Sequence, residues 1–186
     1  MKNLRWMLPS LGLIALIGTG CIITSAQIFA HFDLPNPITI NSATDPFELV
    51  PVDLSTVSDY NDNKDKLKGL SDLAVVGKFT NVAGPAGGVE VWITPGVTSF
   101  TTVAQITAGA TKLWGPASIG AAGSATAAHN VTWDESTALF NPAGKKILID
   151  ESLGDGVFTI YTFGTAGVYS IKVDDGALIL VIAAST

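Results

Sequence analysis

Leu73-Ala74-Val75-Val76-Gly77-Lys78-Phe79-Thr80, then Gly84-Pro85-Ala86-Gly87-Gly88, then Val89-Glu90-Val91-Trp92-Ile93-Thr94, is the stretch that decides the fold. Both outer runs alternate. Leu73, Val75, Gly77 and Phe79 fall on one face of an extended chain, with Ala74, Val76, Lys78 and Thr80 on the other. Val89, Val91 and Ile93 oppose Glu90, Trp92 and Thr94 in the same way. A period of two marks half-buried strands. The glycine-rich stretch between them has turn chemistry, so the pattern predicts a β-hairpin.

Towards the N-terminus, residues 25–32, 38–40 and 47–54 read as three further strands. Pro51 places the third at a sheet edge or a bulge, because proline cannot donate to a ladder. Residues 58–69 carry early acids (Asp59, Asp62), late lysines (Lys64, Lys66, Lys68) and a closing Gly69. That order complements a helix dipole and predicts a short surface helix. Towards the C-terminus, residues 134–140 and 144–153 look like short helical segments. Residues 157–163, 168–173 and 177–183 read as three strands, joined by Gly164-Thr165-Ala166-Gly167 and by Asp174-Asp175-Gly176. The last strand has no polar residue, which fits an interior strand covered on both faces. Many short strands with glycine-rich turns predict one mainly β domain, a single antiparallel β-sandwich over residues 21–186. It is jelly-roll-like or immunoglobulin-like, with a few short helices. Residues 91–133 hold one formal charge, Lys112, in 43 positions, too few for a solvated face. They are expected to pack on the sandwich or against a partner.

The first twenty residues read differently. Lys2 and Arg5 precede an apolar run over residues 6–17, then Gly18-Thr19-Gly20 and Cys21, the sole cysteine. A basic start, a short apolar stretch and small residues make a secretory signal. With Gly20 and Thr19 before Cys21, the stretch resembles the signal of bacterial lipoproteins. The resemblance implies lipidation of Cys21 and residence in the bacterial cell envelope, at the outer membrane or cell surface. Two alternatives stay open. Thr24-Ser25-Ala26 offers an ordinary cleavage site, and residues 6–23, uncleaved, are just long enough to span a bilayer.

Composition excludes several functions. The chain carries ten Lys+Arg and sixteen Asp+Glu. Removal of residues 1–20 takes Lys2 and Arg5, leaving eight bases against sixteen acids, a net charge of −8 and no arginine. Arginine is the bidentate ligand for phosphate and carboxylate. Its absence and the acidic balance argue against nucleic acid, which needs a basic footprint.

Catalytic and metal motifs are not evident. Asp59-Tyr60-Asn61-Asp62-Asn63-Lys64-Asp65 has acceptors at alternate positions, but Lys64 stands where a calcium loop needs glycine and Leu70 where it needs a bidentate Glu. His129 has Asp134 and Glu135 nearby but no second histidine at ligand spacing. No Gly-x-Ser-x-Gly elbow occurs. The sequence therefore predicts no enzyme, no cofactor and no metal. Asn130-Val131-Thr132 matches a glycosylation triplet, idle in a bacterial host. Trp92, Trp114 and Trp133 are the aromatics of interest. Trp92 shares the polar face of its strand and is a candidate for stacking on a sugar ring, unless a helix or the low-charge segment covers that face. The expected role is a non-enzymatic envelope protein, attached to the membrane through its N-terminus and acting in structure or interaction. The alternative is a carbohydrate-binding module using Trp92 or another exposed aromatic; an enzyme of unrecognised type comes third. The expected partners are the membrane and a protein or glycan.

Overall fold

The computed structural model describes residues 25–33 and 37–185. Cys21 and the stretch that reads as a signal lie outside them. Nine strands, β1 (Ser25–Asp33), β2 (Ile38–Asn41), β3 (Glu48–Asp53), β4 (Leu67–Ala83), β5 (Gly87–Pro95), β6 (Thr111–Ile119), β7 (Ala128–Val131), β8 (Val157–Gly164) and β9 (Ser170–Ser185), form two antiparallel sheets. The helices are α1 (Ser58–Asn63), α2 (Val103–Gly109), α3 (Trp133–Ala138) and α4 (Pro142–Leu153).

One sheet runs β1-β9-β4-β7, with β2 also on β9; the other runs β3-β8-β5-β6. Setting β1 aside, the chain steps from one sheet to the other at β2–β3, β3–β4, β4–β5, β6–β7, β7–β8 and β8–β9, and stays in one sheet only at β5–β6. That alternation, with the orders β2-β9-β4-β7 and β3-β8-β5-β6, is the jelly-roll connectivity, not the immunoglobulin one.

The expected hairpin is therefore an arch. β4 pairs with β9 and β7, whereas β5 pairs with β8 and β6. Leu73, Val75 and Phe79 from one sheet and Val89, Val91 and Ile93 from the other all enter one buried core. An arch leaves carbonyls that a hairpin ladder would have paired, and side chains must satisfy them. Buried Asn81 does so, its Nδ2 donating to the carbonyls of Pro85 (2.8 Å) and Gly120 (2.9 Å). Gly84, at φ +119°, lets the arch approach its neighbour, since a Cβ there would lie 2.5 Å from the Val168 carbonyl oxygen.

A second correction concerns Asp174-Asp175-Gly176. This is not a turn but a bulge inside β9, which runs unbroken for sixteen residues. Val76 pairs with Ala177 and Lys78 with Asp174, so Asp175 and Gly176 together face Gly77. Two residues opposite one is a β-bulge, which bends the strand. A Cβ on Gly77 would lie 3.0 Å from the Gly176 Cα, so the bulge needs glycine there. Along its other edge β9 pairs with β1 beyond the bulge and with β2 before it.

Pro51 does mark an edge, β3 being the outer strand of its sheet. The predicted helix over residues 58–69 ends early: α1 stops at Asn63, and Gly69 belongs to β4. The two predicted helical segments before β8 are α3 and α4.

The low-charge segment packs mostly on the sandwich. Leu113, Trp114, Ala117 and Ile119 of β6 are buried in the main core. Ile106 of α2 is buried against Tyr161 and Phe163 on the outer face of the second sheet, with Phe100, Val103 and Trp92 around them.

Candidate functional site

Four of these connections, the arches β2–β3, β4–β5, β6–β7 and β8–β9, lie at one end of the sandwich. Strand register fixes this: Ser170 begins β9 at the arch end, and Ser185, opposite Ser25, closes it at the other. Sixteen residues at about 3.3 Å each put these ends about 50 Å apart. The arches brace one another. Thr165 N–H donates to the Gly88 carbonyl, and Gly88 N–H donates to Thr165 Oγ1, both at 2.9 Å. Tyr169 N–H donates to Ser42 Oγ (3.1 Å), Ser42 N–H to the Tyr169 carbonyl (3.0 Å), and Tyr169 Oη to the Pro46 carbonyl (2.6 Å).

Between these arches and the start of α2 lies a cleft of about 530 Å³. Glu90 and Phe163, cross-strand neighbours on β5 and β8, line it from the sheet. Ser42, Thr101, Thr102 and Thr165 supply hydroxyls around it. Glu90 is only 8 % exposed. Its carboxylate accepts from Trp92 Nε1 at 3.0 Å and pairs with the Lys112 ammonium. Glu90 and Lys112 are the only formal charges between Lys78 and Asp134 in the sequence, and the fold brings them together.

Trp92, the predicted stacking residue, is half-buried beside this cleft and does not line it. Its ring stacks on Phe163 (centroids 5.9 Å apart), and the Lys112 ammonium lies 5.6 Å from its centroid. The low-charge segment, through α2, covers much of that sheet face. Trp114 is fully buried, its Nε1 donating to the Ser136 carbonyl at 3.0 Å. Trp133 is half-buried and donates to Asp72 Oδ2 at 3.1 Å.

His129 Nε2 lies 2.8 and 2.9 Å from the two Glu135 oxygens, tying β7 to α3. Asp134 does not join them as a ligand set. Among the described residues no group of three or more His, Cys, Asp or Glu side chains converges on a point, and no helix is long and apolar enough to cross a membrane. His31 and Asp33 pair at 3.1 Å on the surface of β1. An apolar space of about 30 Å³ lies between the sheets beside Val52, Val75, Val91 and Ile160. Its lining offers water few partners, so it is a packing gap.

At the C-terminal end of α4, burial, then Asp155 and Asp150, raise the Glu151 carboxyl above its ordinary value, and a hydrogen bond to Asp155 adds to this. A carboxyl raised on folding binds its proton more tightly in the native state. Its contribution is therefore full below the unfolded value of 4.5 and lost as pH rises through the folded value. Glu151→Gln is expected to raise the melting temperature at pH 7, with the gain vanishing below about pH 4.5. Thermal melts of both proteins across pH 3.5–7 check this, and an equal gain at every pH would contradict it.

No protein-family model matches this chain, and no curated protein matches it.

Proposed function

We propose that this is an exported, non-catalytic protein of a bacterial cell envelope, held at the membrane through its N-terminal segment and acting in structure or interaction. Jelly rolls serve as capsid, lectin and cupin domains, so the architecture alone does not select a role. One observation supports the reading above others. β1 begins at Ser25, four positions after Cys21, and Ser25 pairs with Ser185 at the end of β9 remote from the arches. Attachment through residues before Ser25 would hold that end at the bilayer and present the arches and their cleft away from it.

Buried polar groups around the core act as structural ties. Ser136 Oγ accepts from Val75 N–H (2.7 Å), Ser152 Oγ donates to the Leu148 carbonyl (2.7 Å), and Tyr60 Oη donates to the Ser152 carbonyl (3.0 Å). Mass spectrometry of protein taken from native membranes tests the anchor. The expected result is an N-terminal Cys21 bearing two or more acyl chains, since one chain gives only marginal attachment. An unmodified chain starting at Gln27 in the soluble fraction would overturn it. An intact Met1 in the membrane fraction would replace the lipid by a span.

A further inference from the structure

We infer that the cleft above Glu90 is a binding subsite for a neutral saccharide. This deepens the interaction role proposed above and is independent of how the N-terminus is anchored. The cleft, at about 530 Å³, falls in the range of small-molecule sites.

Its polar groups have a definite sense. Ser42 Oγ accepts from Tyr169 N–H, Thr102 Oγ1 from Gln105 N–H, and Thr165 Oγ1 from Gly88 N–H. A hydroxyl used as an acceptor keeps its own O–H to donate. Glu90 offers the converse. Trp92 and Lys112 engage its two oxygens once each, and a carboxylate has about four acceptor sites. The cleft thus holds donors on its rim and an acceptor on its floor.

A ligand that both donates and accepts at closely spaced positions satisfies that set, and a chain of sugar hydroxyls does so. An anion is disfavoured, because among the described residues Glu90 is the only charged one lining the cleft. A cation would compete with Lys112 for Glu90. An apolar ligand would desolvate the remaining donor of each hydroxyl and the remaining acceptor sites of Glu90 without satisfying them. A peptide strand would need a free ladder edge, but the arch groups at Ser42, Tyr169, Gly88 and Thr165 bond one another. Trp92, stacked behind Phe163, fixes the floor.

The test uses the full chain in detergent micelles, with amide NMR during titration by neutral hexasaccharides of glucan, mannan, xylan and chitin type. A hexagalacturonate serves as the charged control. At least one neutral sugar is expected to give saturable shifts centred on residues 42–46, 90, 101–103 and 163–169. Glu90→Gln keeps the side-chain shape but loses the charged acceptor, and is expected to weaken binding at least about tenfold. Gly167→Phe puts a ring at the mouth, where a Cβ meets nothing within 4 Å, and is expected to do the same without touching a core contact. The inference is overturned if no neutral sugar shifts these amides, or if the shifts centre elsewhere. It also fails if the charged control binds as tightly, or if either variant, with its remaining spectrum unchanged, binds like the parent.

Discussion

Deletion of residues 176–186 is expected to abolish cooperative unfolding. These residues hold the far half of β9, which pairs with β1 on one side and β4 on the other. Leu178, Leu180, Ile182 and Ala184 from this half belong to the main core. Losing one buried Leu or Ile to Ala costs about 2–5 kcal/mol. Losing several, with two ladders, exceeds the roughly 5–15 kcal/mol that holds a domain together. β1 would also lose the strand it pairs with. Urea melts followed by circular dichroism check this. A truncated protein that stays soluble and melts like the parent would make the strand peripheral.

Trp114→Ala is the single substitution with the largest expected cost, about 3–5 kcal/mol. The indole is fully buried on β6 and packs on Phe79 with centroids 6.2 Å apart. It also donates to the Ser136 carbonyl, which Leu139 N–H bonds as well, and Ser136 Oγ in turn accepts from Val75 N–H. One side chain thus links β6, α3 and β4. Trp114→Phe separates the two contributions. It keeps most of the packing but loses the indole donor, while Leu139 N–H still bonds the carbonyl, so the hydrogen bond alone is expected to cost about 0.5–1.5 kcal/mol. Denaturant melts of both variants measure this. A loss under about 1 kcal/mol for the alanine variant would mean that the core closes over the gap or that the ring is not interior.

How much of this was legible in the sequence differs between levels. Strand positions were, because alternation such as Val89, Val91 and Ile93 against Glu90, Trp92 and Thr94 reports one buried face directly. Pairing was not. A hairpin and an arch have the same alternation and the same glycine-rich connection, and differ in whether the two apolar faces lie side by side or oppose each other. The distinguishing signal was Asn81, a buried amide close to the turn whose donors satisfy arch carbonyls. The bulge in β9 was hidden for a related reason. Asp-Asp-Gly has turn chemistry, and only the close approach of Gly77 from β4 shows that the chain continues. At the cleft, Glu90 could have been noticed as a lone acid beside a long uncharged stretch holding one lysine. Its burial depended on α2 folding back over the sheet, which the alternation of β5 does not encode. Trp92 stands out in sequence by its type, whereas the cleft is built largely from hydroxyls on loops far apart in sequence.

The arch between β4 and β5 is the claim on which the jelly-roll order, the cleft at the arch end and the remote start of β1 all depend. Cross-strand NOEs between backbone protons test it most directly. The structure predicts contacts of Leu73 with Leu180, Ala74 with Ile179 and Phe79 with Val173, and of Val91 with Thr162 and Ile93 with Ile160. A ladder of contacts joining residues 73–83 to residues 87–95 across the glycine-rich connection would contradict it, and would restore a hairpin in its place.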